Sequence, residues 1–120
     1  MATTEYDTWG QSCPATTSET LLYEVPTGRY FVASTVCVCN VATIASATDA
    51  RYDIIVRPAG ESTTASKNYV AKNVLLYPGE YHSLTVGYTI QDGGKILVVS
   101  SVANTLSFSL FGTLISEVVS

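Results

Sequence analysis

Two segments, Tyr23-Glu24-Val25-Pro26-Thr27-Gly28 and Asp53-Ile54-Ile55-Val56-Arg57-Pro58-Ala59-Gly60, each run an apolar strand straight into a Pro/Gly turn, and the same rhythm repeats along the chain. Proline presets φ and glycine accepts a positive φ, so this punctuation ends strands and reverses the chain. No segment combines a helical start, a capped apolar stripe and a stop, so any helix is a single turn. The chain reads as all-β.

Alternation and turn residues give the strand map. A first strand, Glu19 to Val25, ends at Pro26-Thr27-Gly28 and forms a hairpin with the next. That second strand, Arg29 to Asn40, turns Tyr30, Val32, Ser34, Val36 and Val38 one way and Phe31, Ala33, Thr35, Cys37 and Cys39 the other. Val41 to Asp49 is a loop or a weak edge segment. Ala50 to Arg57 follows, with Tyr52, Ile54 and Val56 facing the core and Arg51, Asp53, Ile55 and Arg57 facing water. Ala59 to Ser66 is small and polar throughout and is the most exposed loop. Strands at Asn68 to Tyr77 and Tyr81 to Tyr88 flank Pro78-Gly79-Glu80. Gln91-Asp92-Gly93-Gly94 then launches Lys95 to Ser101, and a last strand, Thr105 to Ile115, alternates Leu106, Phe108, Leu110, Gly112 and Leu114 against Ser107, Ser109, Phe111, Thr113 and Ile115. About seven or eight antiparallel strands at this spacing describe a β-sandwich or jelly roll. The composition shift at Glu19 divides the chain into an N-terminal arm, residues 1–18, and a single sandwich domain, residues 19–120.

Composition narrows what such a sandwich does. At 120 residues it buries a two-layer core without metal or disulfide staples. Only 13% of residues are charged, about half the usual share, and charge depletion marks interface cores. A net charge of −4 with six Lys and Arg provides no basic stripe for phosphates, so no nucleic acid is expected as a partner. The N-terminus has neither the basic nor the apolar region of a secretory signal, and no apolar run reaches membrane-spanning length. Synthesis in a cytoplasm with reduced thiols is expected, and no membrane partner. Cys37 and Cys39 sit side by side on one strand face, poorly placed to bridge each other.

Catalysis needs converging titratable groups, and the chain has one histidine, His82, beside the Pro78-Gly79 turn and expected at the surface. Cys37 and Cys39, within an apolar strand, read as small core residues rather than nucleophiles. Three cysteines and a histidine are a zinc inventory, but Cys-x-Cys on a strand lacks knuckle spacing. Asp49, Asp53, Glu61 and Asp92 lack calcium-loop spacing. Gly93-Gly94 is a turn and not a phosphate cradle. The eight tyrosines are spread over nearly every strand, as ordinary β residues are. No enzyme activity, cofactor or metal is expected. Two places are candidates for partner contact: the arm residues Tyr6, Trp9, Cys13 and Pro14, and the loop residues Glu61, Ser62, Thr63 and Thr64. Trp9 either folds back on its own sandwich or anchors on a partner.

The order Leu21-Leu22-Tyr23-Glu24-Val25-Pro26-Thr27-Gly28, then Val36-Cys37-Val38-Cys39-Asn40, then Tyr52-Asp53-Ile54-Ile55-Val56-Arg57-Pro58-Ala59-Gly60, then Ser107-Phe108-Ser109-Leu110-Phe111-Gly112 resembles small β-sandwich virion structural proteins of tailed bacteriophages. The resemblance covers Glu19 to Ile115 and leaves the arm outside it. It implies a non-enzymatic building block of the virion, assembled in the bacterial cytoplasm. The implied role is a capsid decoration or cement protein binding between major capsid protein subunits, with a tail, neck or baseplate accessory or fibre protein, carbohydrate-binding or not, as the alternative. The implied partners are its own copies, as a trimer or another symmetric homo-oligomer, and the major capsid protein or tail and neck proteins.

Overall fold

The structure, a computed structural model, describes residues 2–42 and 49–117. Eight strands run in order: β1 (Ala2–Ser12), β2 (Thr20–Glu24), β3 (Arg29–Asn40), β4 (Ala50–Arg57), β5 (Tyr69–Leu76), β6 (Tyr81–Ile90), β7 (Lys95–Ser100) and β8 (Leu106–Glu117). A short 3-10 turn, Ser66–Asn68, precedes β5. The strands form two antiparallel four-stranded sheets, sheet A in the order β1-β8-β3-β6 and sheet B in the order β2-β7-β4-β5. Among consecutive strands only β4 and β5 pair with each other, and every other connection crosses between sheets. This is the jelly-roll form of the β-sandwich.

That topology corrects the expected hairpin at Pro26-Thr27-Gly28. The turn carries the chain from β2 in sheet B to β3 in sheet A, since β2 and β3 each pair elsewhere. Tyr77-Pro78-Gly79-Glu80 performs the same crossing from β5 to β6, closed by Glu80 N–H donating to the Tyr77 carbonyl at 3.0 Å. Gly79, at φ 79°, takes the left-handed third position that such a turn demands. At one end of the sandwich the β2–β3 and β6–β7 turns lock together: Val25 N–H donates to the Gly94 carbonyl and Gly93 N–H to the Val25 carbonyl, both at 2.9 Å.

The segment set apart as an arm is, over Ala2–Ser12, edge strand β1, laddered along β8 from Ala2↔Glu117 to Ser12↔Phe108. Its sequence concealed this because an edge strand that buries little side chain needs no apolar alternation. The two faces read for β3 also need correction. Phe31 and Ala33 are buried, then Val36, Val38 and Asn40, so the inward face switches across Ser34. The cause is a β-bulge there, where Ala33↔Gly112 is followed by Thr35↔Phe111. Bulges at Trp9 in β1 and at residues 86–87 in β6 continue the irregularity across sheet A. Cys37 and Cys39 consequently lie half-buried on the outer face instead of in the core.

Between the sheets lie Phe31, Val36, Val38, Tyr52, Ile54, Leu76, Ile96, Val98, Leu106, Phe108 and Leu110, each essentially inaccessible. Burial of each large side chain contributes about 1.5–3 kcal/mol. Polar residues inside are paired: Asn40 Nδ2 on β3 donates to the Leu76 carbonyl on β5 at 3.0 Å, joining the sheets. Ile55, expected to face water, is fully buried on the outer side of sheet B. The segment after β4 folds back over that side, held by Arg57 donating to Thr64 Oγ1 at 3.3 Å and Asn68 Nδ2 to Glu61 Oε1 at 3.3 Å. Most of the expected loop Val41 to Asp49, residues 43–48, lies outside the described residues.

Candidate interaction surface

The residues proposed from sequence for partner contact do not come together. Tyr6 pairs with Thr113 in the β1–β8 ladder, on sheet A. Trp9 is half-buried against its own sandwich, with ring centroids 5.9 Å from Tyr23 and 6.1 Å from Phe31, and its Nε1–H donates to the Gly112 carbonyl at 2.9 Å. The bulge in β1 is what turns this side chain inward. Gly112 makes room for the packing, because a β-carbon there would strike the Val32 carbonyl and the Phe31 ring. Cys13 is exposed, whereas Pro14 is buried and its carbonyl accepts Asn104 N–H at 2.8 Å. The loop candidates sit on the other sheet. Ser62 and Thr63 are exposed, but Glu61 and Thr64 are half-buried and occupied internally, Glu61 with Asn68 and with Lys67 at 3.3 Å and Thr64 with Arg57.

His82, expected at the surface, is half-buried on the core side of β6. Its Nδ1 lies 2.8 Å from the hydroxyl of Tyr52 on β4, with the rings edge-on at 5.8 Å. Burial pushes the Tyr52 phenol above its usual value. The pair bonds one sheet to the other, and no carboxylate or thiol is hydrogen-bonded to either member among the described residues. An indentation of about 210 Å³ at the turn end is lined by Val56, Pro58, Ala59, Thr89, Ile90 and Gln91, none of them titratable. Among the described residues no three His, Cys, Asp or Glu groups gather as a metal site. Among the described residues no helix is long and apolar enough to cross a membrane.

What the fold does create is a segregation of charge between its two outer faces. Alternation from the buried positions gives the outward register of sheet A as Thr4, Thr8 and Gln11 on β1, Ser107, Ser109, Phe111, Thr113 and Ile115 on β8, Tyr30, Val32, Thr35, Cys37 and Cys39 on β3, and Tyr81, Ser83, Thr85 and Thr89 on β6. None of these is charged, and among the described residues the one charged position in that register is Glu117, at the far end of β8. The outward register of sheet B carries Arg51, Asp53 and Arg57 on β4, Lys95 on β7, Glu24 on β2 and Lys72 on β5. There Lys72 lies 3.3 Å from Asp53 and 4.4 Å above the Tyr69 ring, and Arg57 lies 3.5 Å from Glu19. The chain's basic residues thus gather on sheet B and the turn before β5, with only Arg29 on sheet A, at the start of β3. Sequence reading missed this face, although its signal was present in the Ser107, Ser109 and Thr113 alternation of the last strand.

No protein-family model matches the chain, and no curated protein matches it. Among solved structures it is similar to a chain in the structure of infectious bursal disease virus, Gx strain, with a TM-score of 0.53 and 12% identity over 96% of this chain. It spans only 31% of that viral chain, and at this identity the likeness is one of fold. It also aligns with a chain from the acid-stable capsid of Helicobacter pylori bacteriophage KHP30, at a TM-score of 0.48 and 17% identity, over 98% of this chain and 100% of that one.

Proposed function

We propose that the chain is a non-enzymatic structural protein of a virus particle, a decoration or cement subunit that lies on the head with the outer face of sheet A against the shell and sheet B toward solvent. The observation that carries this reading is the charge segregation between the two faces. Docking a charged face strips water from ions and costs several kcal/mol wherever pairing is imperfect, whereas a face of hydroxyls, thiols and tyrosines loses little hydration. Tyrosine supplies rigid contact area and serine adaptable hydrogen bonding. Four strands spaced about 4.8 Å apart, each some 11 residues long, offer about 700 Å² of flat surface, close to one partner's share of a standard interface. A modest contact of this kind, repeated over many subunits, gains strongly from multivalency.

The jelly-roll fold shared with a virus protein and the resemblance to tailed-phage virion proteins support the same reading. The subunit is assembled into the particle in the bacterial cytoplasm, beside copies of itself and the major capsid protein. Immunogold labelling of whole particles with an antibody to this chain tests it. Gold over the heads is the expected result; gold confined to tails or necks moves the protein to the accessory role there, and unlabelled particles overturn the reading.

A further inference from the structure

We infer that β6 is a strand-pairing edge, which joins antiparallel to β6 of a second copy about a two-fold axis and extends sheet A across both. The inference deepens the reading above, whose premise of many adjacent copies it adopts. A jelly roll leaves four edges, here β1 and β6 in sheet A and β2 and β5 in sheet B. Exposed edges invite pairing unless they are short, charged or bulged. β2 has five residues and ends on Glu24. β5 carries Lys72 and, at Asn73, a left-handed residue with φ 56° where its ladder slips. β1 carries Glu5 and Asp7 and is bulged at Trp9. β6 differs from all three. Its irregularity is confined to residues 86–87, and the run Tyr81–Thr85 before it holds no Lys, Arg, Asp or Glu, lacks proline and keeps unbroken register with β3.

A second observation points to the same edge. Of the large apolar side chains exposed on the described surface, Tyr81 is the most open at 73%, and Tyr77 and Tyr88 lie beside or on the same strand. The occupant is a second copy because of charge. Two chains of net charge −4 repel, and β1, the other edge of sheet A, would set Glu5 and Asp7 against their own images. Tyr81–Thr85 sets no carboxylate, ammonium or guanidinium against its image, and an antiparallel two-fold pairing lets one segment serve as both donor and acceptor.

The test is the solution mass of the full chain, read by light scattering after size exclusion across a dilution series, with no particle present. The wild type is expected at twice the 12.8 kDa chain mass. Thr85→Lys, at an exposed position on the edge, places a charge of the same sign from each copy within the paired segment and should weaken association at least about tenfold. Thr4→Lys, exposed on β1, should leave the dimer intact. Unchanged circular dichroism and melting of T85K separate lost pairing from lost folding, and if T85K does not fold, Tyr81→Lys takes its place. A monomeric wild type, or an assembly that T4K disrupts and T85K does not, overturns the inference. Either outcome leaves head labelling unaffected, and unlabelled heads beside an intact dimer would remove only the docking role.

Discussion

Tyr52 buries its whole ring between the sheets and still keeps its hydroxyl paired, because His82 reaches it from the edge of the opposite sheet. Tyr52→Phe therefore leaves the packing and removes one hydrogen bond, at an expected cost of about 1 kcal/mol in denaturant unfolding. The same site gives a pH dependence. The unfolded phenol ionises near its ordinary value of 10.0 and the folded one above it, so the wild type keeps full stability below that pH and loses it as the pH climbs through the folded value. In Tyr52→Phe the fall above pH 10.0 should be shallower, as thermal melts at graded alkaline pH would record. Sequence reading put Tyr52 in the core through its alternation with Ile54, but left His82 outside. Nothing local to a turn-proximal histidine reveals a tyrosine thirty positions away on another sheet.

At the scale of elements, strands with strong alternation were legible to the residue: β3 and β4 begin and end where apolar periodicity and turn chemistry put them. β1 was not, since Thr4, Glu5, Asp7 and Thr8 carry no apolar period, and β8 alone supplies its ladder. Bulges were invisible because the two-residue period assumes an unbroken ladder, and one added residue at Ser34 reverses every side chain after it. The segment Ala59 to Ser66, read as an exposed loop, is exposed apart from half-buried Glu61 and Thr64, and buried Asn68 beyond it holds it down, accepting Ala65 N–H at 2.7 Å through Oδ1 and donating to Glu61. Asn68→Ala should cost about 1–3 kcal/mol by leaving buried partners unpaired. Limited proteolysis is the check, with faster cleavage near Ser62 and Thr63 expected and an unchanged rate counting against a clamp.

Across the whole molecule, the jelly roll converts an unremarkable low-charge composition into two unlike surfaces. The charge deficit was plain in the sequence, but its location was not, because assigning a Ser or Thr to one outer face requires knowing which strands share a sheet. Strand order in a jelly roll is set by contacts far apart in the chain, such as β1 with β8, and local punctuation does not encode them. The central claim concerns the orientation of those surfaces on a particle. A cryo-electron microscopy reconstruction of the head carrying this protein measures it directly: the account predicts β1, β8, β3 and β6 lying flat against the shell with Arg51, Lys72 and Lys95 turned to solvent, and a subunit seated through the charged face of sheet B would contradict it.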